Sequence, residues 1–253
     1  MIEFLEKNLV DSSVISASST NAQFSLNNLK DDRRTKVWRS NTSDATIVID
    51  FGSPEPVDFF MLADNWKNGL GFSTLTLEAN DTNEWSAPAF TTSVGINYEY
   101  GLVKQSFTSE NYRFWRLNMS SSLPYCEVSR FFLGSKSTVT TNGVNYNWTY
   151  QSNSLDSKQV NRYGQAFFDR IGNQKLLSGL NFSVMNKDEI DVIHSVDDIC
   201  STSKAFFIHF PISETLVTEN DRYSGFYRLV SSPSFENTTA GYFSVTLDLE
   251  ECL

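Results

Sequence analysis

Residue types that commonly perform acid–base or nucleophilic chemistry are scarce in this chain. It contains two histidines, His194 and His209, and neither has a serine, cysteine or carboxylate beside it in a recognised nucleophile arrangement. A metal site would need more ligands than these positions supply. Both histidines are therefore predicted to be structural, one on a helix and the other within a strand.

Carboxylates form two clusters in the sequence. The first fits the polar face of an amphipathic helix and matches no calcium-loop spacing, and the second is predicted to form self-neutralising charges in a turn. The first cluster consists of Asp188, Glu189, Asp191, Asp197 and Asp198. The second is Asp31-Asp32, which precedes Arg33-Arg34. Gly69-Leu70-Gly71 lacks the third glycine and the helix of a phosphate loop. No metal, cofactor or catalytic residue is predicted.

One loop combines an aromatic ring with polar side chains. It is Asn65-Trp66-Lys67-Asn68, between two predicted strands. Sugar rings stack on such aromatics while amides hydrogen-bond to sugar hydroxyls, so these four residues are the candidate loop for a ligand or partner. The alternatives are that Trp66 caps the core or packs on a neighbouring subunit.

Length and charge narrow the class of protein. The 253 residues suit two domains, and 20 Phe, 10 Tyr and 5 Trp favour a core built on strands. The net charge is −10, and no Lys/Arg run is longer than Arg33-Arg34. Nucleic acid binding needs clustered cations, so it is disfavoured, whereas DNA could pass an acidic surface without binding.

The first residues and the cysteines favour a soluble chain that is made in the cytoplasm. Glu3 and Glu6 interrupt what would be the apolar core of a signal peptide, and no apolar stretch approaches 18 residues, so no membrane insertion is predicted. Cys126, Cys200 and Cys252 are an odd number without CxxC spacing. They are predicted to be buried or terminal thiols.

Alternating apolar residues predict short strands in the first half. The clearest segments are residues 46–51, 57–62, 74–79, 112–119 and 128–133. Gly52-Ser53-Pro54 is predicted to end the first of these, because proline has no backbone donor. From Ser135 the composition changes to Ser, Thr, Asn and Gln, which predicts a domain boundary near Lys136.

Several of these residues resemble the galactose-binding-like, discoidin or coagulation factor type C family. They are Ala17-Ser18-Ser19, then Asn28-Leu29 with Asp31 or Asp32 and Trp38, the strand 47–52 (IVIDFG) and the strand 112–117 (YRFWRL). The chain departs from that family in having no glycine after the aspartates and no flanking disulfide cysteines. The resemblance implies a jelly-roll β-sandwich whose loops at one end bind sugars, lipids or proteins.

The second half predicts strands around one helix. Residues 160–170 and 175–184 read as two strands joined at Ile171-Gly172-Asn173, and Asn186 with Glu189 predicts a capped helix near 187–198. Three further strands follow, in AFFIHF, YSGFYRLV and GYFSVTLDL. This order is similar to the tail tube and distal tail fold of long-tailed bacteriophages.

The resulting fold prediction is mainly β. Residues 1–136 form a galactose-binding-like sandwich, and residues 137–253 form a tail tube-like β-domain with one helix.

The resemblance implies a structural protein of a phage tail tip or baseplate, located in the virion tail. It would form or decorate a trimeric or hexameric ring around the DNA channel, with other tail proteins and host surface glycans as partners. The alternative is a carbohydrate-binding module with Trp66 as its stacking residue. A glycan hydrolase with unrecognised carboxylates is the third interpretation, and the leading prediction is not an enzyme.

Overall fold

The computed structural model describes residues 2–33, 35–63, 71–96, 102–139, 148–155, 157–163, 165–169, 173–210 and 223–252. The fold is mainly β, as predicted. The helices are α1 (Leu9–Ser12), a 3₁₀ helix at Leu26–Lys30, and α2 (Lys187–Cys200). The strands, in chain order, are β1 (Ile2–Leu5), β2 (Val14–Ala17), β3 (Trp38–Arg39), β4 (Asp44–Ala63), β5 (Phe72–Asn80), β6 (Phe90–Ser93), β7 (Leu102–Ser121), β8 (Glu127–Val128), β9 (Arg130–Gly134), β10 (Ser137–Val139), β11 (Thr149–Ser154), β12 (Ser157–Val160), β13 (Ala166–Asp169), β14 (Asn173–Met185), β15 (Phe206–His209), β16 (Gly225–Leu229), β17 (Ser234–Thr239) and β18 (Tyr242–Glu251).

The described residues fall into two compact units. We call Lys7–Lys136 the sandwich unit, and residues 2–6, 137–210 and 223–252 the split unit. The chain thus passes from one unit to the other between Lys136 and Ser137. Residues 2–6 do not lie in the first domain, where the sequence placed them. Their strand β1 pairs with β10 and β15, and these backbone hydrogen bonds fix them in the sheet of the split unit.

The sandwich unit is organised by two long antiparallel strands, β4 and β7. The sheet order is β2-β4-β7-β5-β6, and β9 pairs with the second half of β4. Residues that alternate along these strands are buried together, among them Ile47, Ile49, Leu77, Trp115 and Leu117. The predicted alternation is therefore confirmed, and its polar members lie on the opposite face.

Gly52 does not end the first long strand. β4 continues through it to Ala63, with an interruption of register between Asp50 and Glu55. Gly52 has φ +83°, a conformation that side chains with a Cβ rarely adopt, and its N–H donates to Asp50 Oδ1 at 2.8 Å. The glycine and Pro54 therefore form an irregularity within a continuing ladder, and the pairing resumes at Glu55.

The split unit is built on one antiparallel sheet whose strands differ in length. Its strand order is β10-β1-β15-β16-β18-β14-β11, with β17 also on β18. The three strands predicted after the helix are confirmed as β15, β16 and β18, and their apolar residues form a second core with Phe4, Phe182 and Val196.

Helix α2 begins as the sequence predicts. The Asn186 side chain accepts from the Glu189 N–H at 3.0 Å, and Glu189 Oε2 accepts from the Asn186 N–H at 3.1 Å. This capping box satisfies two backbone donors that a helix start leaves open. The helix extends to Cys200, two residues beyond the predicted end.

The strand pair predicted across Ile171-Gly172-Asn173 is wrong. β13 pairs with β12 in a separate two-stranded ribbon, whereas β14 pairs with β11 and β18. Alternation within each segment marks a strand but carries no information about its partner, and β14 buries more apolar surface in the large sheet than a local hairpin could offer.

Candidate functional site

The loop predicted to bind a ligand lies outside the described residues. Asn65, Trp66, Lys67 and Asn68 all fall in the interval between Ala63 and Gly71. Their role stays a prediction, and the site described below rests on other residues.

The outer face of the sandwich sheet carries a continuous set of polar side chains. Across it, Thr46 and Thr76 are the register partners of Asn118 on either side, and Asp44 and Thr74 flank Ser120 in the same way. Side chains directly opposite on antiparallel strands lie about 5 Å apart, so each row forms one patch of hydrogen-bonding groups.

This patch lines a shallow groove of about 250 Å³. Its polar lining consists of hydroxyl, amide and carboxylate groups, from Ser18, Asp44, Thr46, Thr74, Thr76, Asn118 and Ser120. Pockets that fix the orientation of a small ligand rely on a few such groups in set positions. Among the described residues that line the groove there is no lysine or arginine, and Asp44 is the one with a formal charge.

The amide of Asn118 is oriented by bonds on both sides. Its Oδ1 accepts from Thr46 Oγ1 at 3.1 Å, and its Nδ2 donates to Glu78 Oε2 at 2.8 Å. Arg116 Nε donates to the same Glu78 oxygen at 2.6 Å. This chain of bonds holds the groove side chains in place before any ligand arrives, which reduces the entropy cost of binding.

Two hydroxyls in the groove are free to bind a ligand. Thr74 and Thr76 make no side-chain hydrogen bond to any part of the chain that the structure describes. Ser18 Oγ accepts from the Thr46 N–H at 2.9 Å and keeps its own proton for donation. The groove therefore offers both donors and acceptors.

An aromatic side chain lies beside this network. The Arg116 guanidinium lies 4.5 Å from the centroid of the Trp85 ring, and Trp85 Nε1 donates to Asn83 Oδ1 at 2.8 Å. Trp85 is half-buried, so part of its ring remains in solvent at the edge of the polar face. Cation–π contact and the indole hydrogen bond fix its position.

The other residues singled out in the sequence have structural partners. His194 stacks on Phe235, with ring centroids 4.0 Å apart, and His209 contacts Glu3. Asp31 pairs with Arg33 at 2.6 Å, and this bond lowers the pKa of Asp31 to about 2. The predicted turn charges are confirmed for that pair, whereas Asp32 binds Arg130 at 2.9 Å.

The thiols and the acidic helix face form no ligand cluster. Cys126 and Cys200 are buried thiols and Cys252, near the end of the sequence, is a half-exposed thiol, in agreement with the prediction of buried or terminal thiols. Within the described ranges, no three His, Cys, Asp or Glu side chains converge so as to hold a metal ion.

The groove was not singled out in the sequence, although a signal for it existed. Thr74 and Thr76 alternate with Leu75 and Leu77, so their exposure on the outer face was predicted. What the sequence lacked was the register that brings these threonines beside Asn118 of β7. No helix in the described part of the chain is long and apolar enough to span a membrane.

Comparisons with known proteins find likeness in structure alone. No protein-family model and no curated protein matches the chain. A chitosan-binding module of a chitosanase/glucanase from Paenibacillus sp. IK-5 is similar at 22% identity, with a TM-score of 0.41, over 51% of this chain and 99% of that one. The lectin domain of lectinolysin, complexed with Lewis B antigen, is similar at 14% identity and a TM-score of 0.45, over 51% and 97%. A fucose-binding module from Streptococcus pneumoniae is similar at 12% identity and a TM-score of 0.45, over 51% and 95%. The likeness thus concerns backbone structure over about half of this chain.

Proposed function

We propose that the sandwich unit is a carbohydrate-binding module that holds a glycan in the groove on its outer face. The observation that carries this proposal is the oriented Asn118 amide between two threonine rows, with the free hydroxyls of Thr74 and Thr76 beside it. Sugars present many hydroxyls that both donate and accept. A fixed array of amide, hydroxyl and carboxylate groups matches that chemistry.

The proposed function is sugar binding without cleavage, and the contacts of one carboxylate agree with it. Glu78, a half-buried carboxylate beside the groove, accepts from both Arg116 and Asn118. Both bonds are made to Oε2, so this carboxylate serves to orient the neighbouring side chains of the groove. We infer binding without cleavage.

A glycan array probed with the full chain tests the proposal. The diagnostic variant is Thr74→Val with Thr76→Val, because valine keeps the shape and strand preference of threonine but removes the hydroxyl. Each lost hydrogen bond is worth about 1 kcal/mol, so the double variant should bind its glycan about tenfold or more weakly. Thr239→Val, on exposed β17, is the matched control and should bind as the unmodified chain does.

Two results would contradict the groove as the binding site. One is an array without any bound glycan at high protein concentration. The other is a Thr74→Val, Thr76→Val protein that binds as tightly as the Thr239→Val control. The urea midpoints of all three proteins should agree, which separates loss of a contact from loss of the fold.

A second candidate function is a structural role in a phage tail or baseplate, as the resemblance of the second half implies. The observation that favours it is the β12–β13 ribbon, which pairs with no other strand among the described residues. Val160 is 57% exposed and Tyr163 is 73% exposed there. An isolated two-stranded ribbon is marginally stable in water, so a covering partner would stabilise it.

In that role the chain would be part of a trimeric or hexameric ring in the virion tail, with other tail proteins as neighbours. Light scattering of the purified chain and electron microscopy of virions test it. A ring-forming protein should lose its oligomer when Val160 and Tyr163 are both changed to Ser. A chain that stays monomeric at high concentration and is missing from virions would contradict the structural role.

A further inference from the structure

The carboxylates on the outer face of the sandwich sheet differ in their partners. Glu78 is paired with Arg116, and Asp50 is paired with Arg113 through two bonds of 2.7 and 2.9 Å. Asp44, on the same face, makes no ion pair within the described residues. Its contacts are with hydroxyls, from Ser120 at 2.6 Å and Ser43 at 3.3 Å.

Those hydroxyls fix the direction of the Asp44 carboxylate without neutralising it. Ser120 donates to Oδ1 and Ser43 donates to Oδ2, so each oxygen accepts one bond. A carboxylate can accept about four hydrogen bonds in all. Asp44 is exposed and lines the groove, so its remaining acceptor positions are open to a bound molecule.

We propose that Asp44 forms a subsite for the ammonium group of an amino sugar, so that the groove prefers glycans with free amines over neutral or acidic ones. This inference rests on the proposed carbohydrate-binding function. An ammonium group donates three hydrogen bonds and carries the opposite charge. Carboxylated or sulfated sugars would meet Asp44 and a chain of net charge −10, with no cation among the described residues that line the groove.

The distinguishing measurement compares glucosamine oligosaccharides with N-acetylglucosamine oligosaccharides of the same length, titrated calorimetrically into the full chain. The two series share one backbone and differ in the charge on the amino group. An exposed ion pair is worth up to about 1 kcal/mol, so the amine series should bind about fivefold more tightly. Higher salt should reduce that preference, because the pair is screened.

The variant Asp44→Asn should abolish the preference for the amine series, because the asparagine still accepts from Ser120 but carries no charge. Asp44→Ala serves as a second variant, which removes both the charge and the acceptor for Ser120 and should also abolish the preference. Asp198→Asn is the matched control, since it removes the same charge from an exposed position on α2. It should keep the preference.

The outcomes separate this inference from the proposal on which it depends. Equal affinity for the two series in the unmodified chain would overturn the ammonium subsite, and so would a preference that survives in Asp44→Asn. If the chain binds other glycans on an array but binds neither the glucosamine nor the N-acetylglucosamine oligosaccharides, the ammonium subsite alone would be overturned. Failure to bind any glycan would overturn both.

Discussion

Glu3 and His209 are register partners on β1 and β15, and His209 Nδ1 lies 2.6 Å from Glu3 Oε2. The two side chains are only 7% and 13% exposed. This contact joins the first described strand to one that is about 200 residues later in the chain. It adds a side-chain contact to the backbone pairing of β1 with β15, so Glu3 should be important for holding β1 in the sheet.

The substitution Glu3→Gln tests this role. A hydrogen bond that involves a charged group contributes about 1.5–3 kcal/mol, and its loss should lower the free energy of unfolding by about that amount. Urea denaturation followed by circular dichroism at neutral pH measures the change. Glu236→Gln, at an exposed site on β17, is the control and should have little effect. Equal midpoints for both variants would show that β1 is held by its backbone pairing alone.

Glu6 gives the stability of the split unit a dependence on pH. Burial raises the pKa of this carboxyl above its usual value, against the opposing hydrogen bonds from Ser137 and Ser195. Its Oε2 is buried and has no hydrogen-bond partner in the described part of the chain. The folded protein therefore binds this proton more tightly than the unfolded chain does.

The sign of the effect follows from that difference. The favourable contribution of protonated Glu6 is complete below the unfolded pKa of about 4.5 and is lost as pH rises through the higher folded value. Glu6→Gln keeps an uncharged group there, so its stability should fall less than that of the unmodified chain between about pH 4 and pH 8. Urea midpoints across this range measure the difference. Parallel curves for the two proteins would contradict a buried, ionising Glu6.

Trp115 is, with Trp38, one of the two fully buried tryptophans in the described core of the sandwich unit. It is fully buried, and the rings of Phe90 and Phe107 lie 5.8 and 6.0 Å from its own. Trp115→Ala should cost about 3–5 kcal/mol, because it removes this contact surface and leaves a cavity. Trp115→Phe keeps an aromatic ring and should cost less. Denaturation monitored by near-ultraviolet circular dichroism measures both, and a loss below about 1 kcal/mol for the alanine variant would be inconsistent with the packing.

Sequence patterns within a few residues were sufficient to predict individual strands and the start of a helix. The alternation of Leu75 and Leu77 with threonines predicted both the strand and its buried face, because side chains on a strand point to opposite sides in turn. Asn186 and Glu189 predicted the start of α2, because a capping box is formed within four residues.

Pairing between distant segments could not be predicted in this way. β1 pairs with β15, from which it is separated by most of the sequence. The threonines of β5 form the groove only because β7 lies beside them. Such contacts depend on the register and total burial of a whole sheet. Gly52 was misread for a related reason, since the ladder of β4 resumes only because β7 continues opposite it.

A substitution at Trp66 distinguishes glycan binding at the predicted loop from glycan binding in the groove. If the loop supplies a stacking ring, Trp66→Ala should weaken glycan binding by about tenfold or more, since burial of an aromatic ring contributes 1 kcal/mol or more beyond its area. The Thr74→Val, Thr76→Val variant reports on the groove in the same assay. Trp85→Ala is the control for loss of a half-exposed indole on the sheet face. Unchanged binding in Trp66→Ala would exclude Trp66 as a stacking residue.

Cys126 should react much more slowly than Cys252 in the folded protein. Burial raises its pKa to about 11, and the side chain is fully buried, with Sγ 3.1 Å from the Ser43 carbonyl oxygen. The thiolate is the nucleophile, so at pH 8 only about 0.1% of this group would be reactive even if reagent reached it. Cys252 is half-exposed and should be alkylated first by iodoacetamide. Peptide mass spectrometry after timed labelling, with and without urea, measures the order. Equal rates for Cys126 and Cys252 without urea would mean that the edge of the sandwich near Ser43 opens readily, because a buried thiol of high pKa cannot react without such opening.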